Sequence, residues 1–476
     1  MKFRWLAVSV LLVASFMDLL DTTIVNVALP SIQEELNASS AQLVWIVSGY
    51  VLSFAVLLIT SGRLGDRYGR KTIFIIGVFG FTLASFGCAF AQTADVLVIS
   101  RIVQGAFSAL MIPQVLSIIQ VLFKPQERAA VFGLTGAISG MAAVAGPLIG
   151  GLLVSGDAFG LGWRSIFIIN VPVGIVLLIA SFAFVPNSKS EKPVKLDIRG
   201  VTLIILALVL IIFPLIQGRE LGWPLWIWLM LASSPVLIGL FIALQKYEEK
   251  HGGMALIPPS LFTNRGFSAG VVTGFLAPSS IGAFFLILVL YLQGGLGFSA
   301  IDAGLATLPF SIGAFLGSGI AVPLAPRIGK FLIVIGGAFQ LVGYYLVKQV
   351  ILDQGDALVG TDLIVPMAIA GVGLTLILVP LNDLSLAQTD VADAGAASGV
   401  LNTFQQVGGA LGIAVISVIF FDVVGINFSP AGLRDAFEVA IWVPLVAVTL
   451  TGISSLLLPS VSQMIAHNKA AEALEV

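Results

Sequence analysis

The sequence predicts an all-α integral membrane protein with 14 transmembrane helices, arranged as two six-helix bundles plus two inserted helices. Three observations carry this prediction. Of the 476 residues, 58% are hydrophobic and 10% are charged, and the mean hydropathy is +1.07, more apolar than a soluble domain. The apolar residues fall in long stretches of the length that crosses a bilayer, about 20 residues. Polar and cationic residues collect in the short connections between them.

Taken in order, the predicted spans are 5–29, 42–62, 73–92, 95–122, 130–155, 165–185, 200–217, 224–244, 267–293, 304–325, 332–351, 363–386, 395–421 and 437–459. The first runs past Leu20 to Pro30 without a small-residue cleavage pattern, so a retained span is expected rather than a signal peptide. The second and third flank a charged patch, Gly62 to Lys71. The fourth contains Arg101, and the fifth contains Gly146-Pro147 and Gly150-Gly151. Spans seven and eight lie between two polar segments, Pro186 to Arg199 and Gln245 to Arg265, which separate six spans from six. The expected organisation is therefore a first bundle at 1–185, linkers with the inserted helices at 186–266, a second bundle at 267–459 and a tail at 460–476.

An even number of spans places both termini on one side. With the termini inside, every Lys and Arg except Arg101, Arg164, Arg219, Lys348 and Arg434 falls in an inner segment or at its edge, as the positive-inside rule requires. All tryptophans but Trp5 fall near the outer interface. Both termini are expected in the cytoplasm and the chain in the cytoplasmic membrane. Near-zero net charge, with no basic run, argues against a nucleic-acid partner. The single cysteine, Cys88, excludes a disulfide framework within the chain.

Five of the ten residues from Gly62 to Lys71 are charged. Glycines there allow two helix ends to approach closely, and Asp66 can meet a neighbouring cation or a helix N-terminus. This is the chemistry of a breakable latch. Pro323 to Lys330 echoes the patch between spans ten and eleven, keeping Arg, Gly and Lys but no Asp. Bundles repeated in one orientation imply a binding site near the bilayer midplane.

Asp18 and Asp21 lie in the first span, three residues apart. A charge at a helix centre costs about 2.5–3.5 kcal/mol on insertion scales, so such an acid needs a partner, a wet cavity or a proton. Burial disfavours the charged form and brings reversible protonation toward neutral pH, and two neighbouring acids titrate as a pair. The plainer reading is that one of them caps or solvates a cavity. Arg101 falls roughly 9 Å inside the outer end of its span, in the same leaflet as Asp21, and an Asp21–Arg101 contact is consistent with that depth. Snorkelling to the surface is the alternative for Arg101, while Gln104 and Gly105 favour an inward-facing polar stripe.

Pro147 removes a helical hydrogen bond, and Gly140, Gly146 and Gly150 permit bending and close packing. Asn402, Gln405 and Gln406 form a polar cluster that serves either inter-helix hydrogen bonds or a substrate. Phe54, Gln114 and Phe285 complete the set of candidate cavity residues. Asp383 reads either as a second titrating group or as an acid in the headgroup zone. The only Gly-Lys pair, Gly329-Lys330, precedes Phe331, so there is no phosphate-binding loop and no ATP hydrolysis is expected. Both histidines, His251 and His467, fall in predicted inner segments, and no hydrolase or metal-site motif is present. An enzyme is not expected.

With these residues in view, the chain resembles the major facilitator superfamily, in its fourteen-helix drug:proton antiporter branch. Gly62 to Lys71 is similar to the family's signature loop, which implies that Gly62, Asp66, Arg67, Gly69, Arg70 and Lys71 hold the outward-open state through charge contacts. Leu20-Asp21-Thr22 through Pro30 resembles the branch's first-helix motif, whose acid is implicated in coupling; Asp18 is an addition to that pattern. Arg101 to Gly105 resembles the helix-four motif of proton-coupled members. Gly140 to Gly151 resembles the helix-five antiporter motif, and Ala394 to Gly399 with Asn402 and Gln406 the helix-thirteen pattern. The resemblance implies a monomeric exporter of lipophilic compounds, cationic or of several kinds, that uses the proton gradient and no cofactor. The alternatives are a dedicated exporter of one metabolite, lipid or peptide, and a non-transporting receptor or scaffold on the same fold.

Overall fold

A computed structural model describes residues 4–123, 125–157, 160–189, 197–251, 255–387, 394–425, 428–460 and 463. All regular structure among them is helical: α1 (Arg4–Leu36), α2 (Ser40–Tyr68), α3 (Arg70–Ala89), α4 (Ala94–Leu122), α5 (Pro125–Ser155), α6 (Ser165–Ile168), α7 (Asn170–Phe184), α8 (Ile198–Gln217), α9 (Leu225–Lys250), α10 (Arg265–Leu290), α11 (Ala300–Ile328), α12 (Lys330–Gln354), α13 (Ile364–Leu386), α14 (Ala394–Val424), α15 (Pro430–Ala440) and α16 (Trp442–Ser455). Thirteen helical stretches among the described residues are long and apolar enough to cross a membrane; α6–α7 and α15–α16 each form one of them. In α5, which runs 31 residues, the shorter apolar stretch Ala145–Ser155 is recognised. Counting α5 gives the fourteen helices expected from the sequence.

The chain divides into two compact units. The first comprises Met1–Leu244, Gly252–Leu256 and Leu292–Leu305; the second comprises Gln245–His251, Ile257–Tyr291 and Ala306–Val476. Packing therefore interleaves segments that the sequence-based boundaries at 185 and 266 kept apart. Leu292–Leu305, expected in the second bundle, belongs to the first unit: Gln293 donates to the Val27 carbonyl at 2.9 Å, and the Ile301 amide donates to Ser155 at 3.2 Å.

Within the first unit α1 packs on α5 and α7, and α3 packs on α4 and α7. Within the second, α10 packs on α14 and α16, and α12 packs on α13 and α16. The internal repeat seen faintly in the sequence is thus a repeat of helix pairing. Glycine sets the closest crossings. A Cβ on Gly105 would lie 2.9 Å from the Tyr50 carbonyl carbon, and one on Gly77 would lie 2.8 Å from the Met111 nitrogen.

The inserted pair α8–α9 attaches to α2 within the first unit. Ser39 caps α2 with a reciprocal bond to Gln42, and Glu220, from the turn between α8 and α9, accepts from the Ala41 amide at 2.9 Å and the Ser39 hydroxyl at 3.1 Å. The carboxylate thus satisfies a helix-start amide that α2 cannot satisfy itself. Phe213 of α8 lies between Trp45 of α2 and Trp226 of α9, with ring centroids at 6.4 and 6.2 Å.

The charged patch is not the loop that its composition suggests. Helix α2 continues to Tyr68 and α3 starts at Arg70, leaving Gly69 alone between them. Charge and glycine are tolerated in the last turns of a helix that extends beyond its apolar part. Gly69 has φ +104°, a conformation that other residues rarely adopt. In the second unit Gly329, at φ +59°, is likewise the single residue between α11 and α12. Replacing Gly69 with Ala should cost about 1–2 kcal/mol through its positive φ. Gly62, helical with open space around its Cα, should accept Ala neutrally or with a gain. Thermal unfolding of the two purified variants in detergent checks this contrast, which fails if Gly69→Ala melts no lower than Gly62→Ala.

Candidate functional site

The first unit buries a charge cluster assembled from five helices. Asp21, near the middle of α1, is fully buried, as is Arg101 on α4. Arg101 Nη1 lies 2.5 Å from Asp21 Oδ2 and also donates to Gln104 Oε1 at 2.6 Å, while Arg101 Nε donates to the Ile46 carbonyl of α2 at 3.0 Å. Gln104 Nε2 donates to Asp21 Oδ1 at 2.9 Å and Asn170 Nδ2 of α7 donates to the same oxygen at 2.7 Å. The carboxylate therefore accepts three hydrogen bonds from three side chains. Gln104 is engaged at both ends, since Nε2 also reaches Ser85 Oγ of α3 at 2.8 Å and Oε1 accepts from the Cys88 thiol at 3.6 Å.

This arrangement follows from local geometry. Positions three apart on a helix share a face, so Arg101 and Gln104 address the same acid. Gly105 lets α4 approach the α2 backbone closely enough for Arg101 to reach the Ile46 carbonyl. The guanidinium also lies over the Tyr50 ring at 4.2 Å and the Phe167 ring at 5.7 Å, both favourable cation–π placements. Arg101 therefore points into the unit's core and does not snorkel. Asp18 is a second, adjacent acid, 6% exposed. Its Oδ1 accepts from the Tyr50 hydroxyl at 2.5 Å and from Ser108 Oγ of α4.

The helix-five residues lie against the same helix. A Cβ on Gly146 would collide with Thr23, and one on Gly150 would lie 2.8 Å from Ile24 Cγ1, so these glycines bring α5 onto α1 just beyond Asp21. Helix α5 runs through Pro147 unbroken, and the Pro147 carbonyl abuts Gly304 within the same unit.

At the patch, Arg70 pairs with Asp66 across the Gly69 elbow, with Nη2 at 2.8 Å and Nε at 3.2 Å from one oxygen. Both partners are partly exposed, which keeps such a pair below about 1 kcal/mol and easily broken. Lys71 donates to the Phe182 carbonyl at 2.8 Å. Arg67 lies exposed beside the Tyr68 ring. Arg63 donates to the Ala255 carbonyl at 2.6 Å, and burial pushes its guanidinium below the ordinary value against the opposing pull of Asp197. Gly62 contacts nothing that a Cβ would meet.

The six candidate cavity residues divide between the units. In the first, Phe54 is buried with Leu58 and Ala109. Gln114, expected to line a cavity, is instead fully buried where α4 crosses α2: its amide donates to the Ser61 carbonyl at 2.9 Å, and its side chain fills the space above Gly65. In the second unit, Phe285 is half-buried and edge-on to Phe310 at 4.9 Å. Gln405 donates to Asn382 at 3.0 Å, an inter-helix hydrogen bond, while Asn402 and Gln406 are half-buried and Asp383 is exposed. Tyr50, Ser85, Ser108 and Asn170 were missed in the sequence. Each is a lone polar residue in an apolar run, and the only available signal was that such a residue needs a partner.

A Major Facilitator Superfamily model matches residues 11–413. The chain belongs to the major facilitator superfamily. Among curated members it is 41% identical over 424 residues to the probable actinorhodin transporter of Streptomyces coelicolor, covering 89% of this chain and 73% of that one. It is 32% identical over 424 residues to the tetracenomycin C resistance and export protein of Streptomyces glaucescens, covering 88% and 75%. The fold also matches a solved D-xylose-proton symporter with a TM-score of 0.65 at 16% identity, over 95% of this chain and 97% of that one. This major facilitator protein is accordingly a multi-pass membrane transporter rather than an enzyme, and its curated relatives include proteins named for antibiotic transport, resistance and export. Removing one member of a buried ion pair strands the other, at a cost of about 3–5 kcal/mol, whereas an apolar replacement of both can be neutral. Arg101→Met should therefore lower the unfolding midpoint more than the Asp21→Leu/Arg101→Met double variant does. Differential scanning fluorimetry in detergent reads the order, and a double variant less stable than the single would overturn it.

Proposed function

We propose that this protein exports lipophilic compounds, cationic or of several kinds, in exchange for protons, with Asp21 as the principal proton carrier and Asp18 beside it. The observation that supports this reading most is the buried Asp21–Arg101 pair in the core of a transporter with relatives named for antibiotic export and resistance. Three donors converge on this carboxylate. Protonating it removes the charge that Arg101, Gln104 and Asn170 are arranged around, and so biases one conformation against another. Two helix bundles then alternate access to a midplane site. In this reading the protein works as a monomer in the cytoplasmic membrane, both termini cytoplasmic, driven by the proton gradient without a cofactor. The Asp66–Arg70 pair and the Gly62–Lys71 patch act as a cytoplasmic latch.

A second reading, export of a single natural product, is favoured by the relatives' names, since actinorhodin and tetracenomycin C are each one compound. Competition separates the two. If ethidium, puromycin and an unrelated lipophilic cation each compete for uptake into everted vesicles, the broad reading holds; strict selectivity supports the narrow one. For the coupling itself, Asp21→Asn in proteoliposomes should abolish transport of ethidium driven by a pH gradient while the protein still inserts. Undiminished gradient-driven transport by that variant would sink the assignment.

A further inference from the structure

Asp18 lies outside the Asp21–Arg101 pair, yet one side chain touches both. The Tyr50 hydroxyl donates to Asp18 Oδ1 at 2.5 Å, and the face of its ring lies 4.2 Å from Arg101 Cζ. Tyr50 is itself 1% exposed, so neither contact is diluted by solvent. The α2 backbone at Tyr50 is fixed against α4 by Gly105, where any Cβ would intrude on the Tyr50 carbonyl. Ring and hydroxyl therefore have little freedom to serve one partner without serving the other.

We propose that Tyr50 is a positioning residue that makes the charge state of Asp18 felt at the Asp21–Arg101 pair, so that the two carboxylates respond to protons as one coupled unit. The proposal rests on proton-driven export by this cluster. A hydroxyl bond to an ionised carboxylate is roughly twice as strong as one to a neutral group. When Asp18 takes a proton from water, its carboxyl becomes neutral and gains an O–H of its own. Tyr50 keeps its own proton throughout, but its hydroxyl is held less firmly. The ring is then free to leave the guanidinium, which weakens the setting of Arg101 against Asp21.

The groups around Asp18 and the neighbouring Asp21–Arg101 pair are few. Helix α1 brings Asp21, α2 brings Tyr50, α3 brings Cys88, α4 brings Arg101, Gln104 and Ser108, and α7 brings Asn170. Among the described side chains of α5 none is titratable. Among the described residues, Tyr50 alone joins the Asp18 oxygen to the Arg101 cation by direct contact. A phenylalanine would fill the same space without the hydroxyl, so Tyr50→Phe keeps the packing volume and removes the link to Asp18.

The test uses the full chain in proteoliposomes with ethidium as probe, its transport followed across a pH series for wild type, Asp18→Asn, Tyr50→Phe and the double variant. The expected result is that both single variants flatten the pH profile in the same way. The double variant should match either single to within about twofold, the limit for a pair acting through one link. Effects that multiply in the double variant, or a Tyr50→Phe profile identical to wild type, would overturn the proposal. A second measurement needs no Tyr50 variant. In pH-difference infrared spectra of the wild type, a tyrosine C–O band should shift together with carboxyl titration and be absent from Asp18→Asn; a carboxyl titration without it overturns the proposal equally. If wild-type transport ignores the pH gradient, the export reading fails and this proposal fails with it. If wild type follows the gradient but the variant effects multiply, the Tyr50 link alone is lost.

Discussion

An ionised carboxylate and a guanidinium buried among apolar helices must satisfy every strong donor and acceptor from within the protein. That constraint organises the first unit. It fixes Arg101 and Gln104 three residues apart on α4, brings Ser85 and Asn170 in from α3 and α7, and takes a backbone carbonyl from α2. It also explains the glycines beside these residues, since side chains of this length reach their partners only if the helices cross closely. Loosening any of these crossings would leave a charge without a partner in a medium that gives it none.

The second unit shares the scaffold without an ion pair buried on both sides among its described residues. The same helix pairings recur, and a single glycine again separates α11 from α12. Lys330, directly after that glycine, donates to the Leu456 and Leu458 carbonyls at 2.7 and 3.0 Å, as Lys71 does to Phe182. The buried polar pair near the middle of α12 is neutral, however: Gln340 donates to Tyr344 at 2.8 Å, and Tyr344 stacks on Phe284 at 3.9 Å; the buried cation of that helix, Lys348, lies 3.7 Å from Glu438, which is itself 47% exposed. A duplicated frame has thus kept its mechanical parts in both halves, while among the described residues an ion pair with both partners buried occurs in one.

Much of the fold was legible because hydropathy acts on stretches of residues: the spans are long and apolar, and each loop that breaks them is polar. Asp18, Asp21 and Arg101 stood out for the same reason, as charges where charge is costly. The extent of α2 was not legible, because Arg63, Asp66 and Arg67 lower local hydropathy without ending the helix; the break at Gly69 depends on one φ angle. Tyr50, Ser108 and Asn170 were hidden because their significance lies in what they face across a helix crossing, and no spacing along the chain encodes that. Gln114 misled for the converse reason: a polar side chain in a span can be used entirely in packing against a neighbour, here at Gly65.

The one-residue elbow at Gly69 leaves no slack between α2 and α3, and Lys71 ties the start of α3 to the carbonyl end of α7. Helix α2 runs as one element from this elbow back to the buried acids. Tyr50 lies 19 positions along it, an arm of roughly 28 Å at 1.5 Å per residue. A tilt of about 5° at the elbow would carry Tyr50 by roughly 2.4 Å on that arm, enough to part its hydroxyl from Asp18. The charged patch and the buried acids are in this way joined along a single helix.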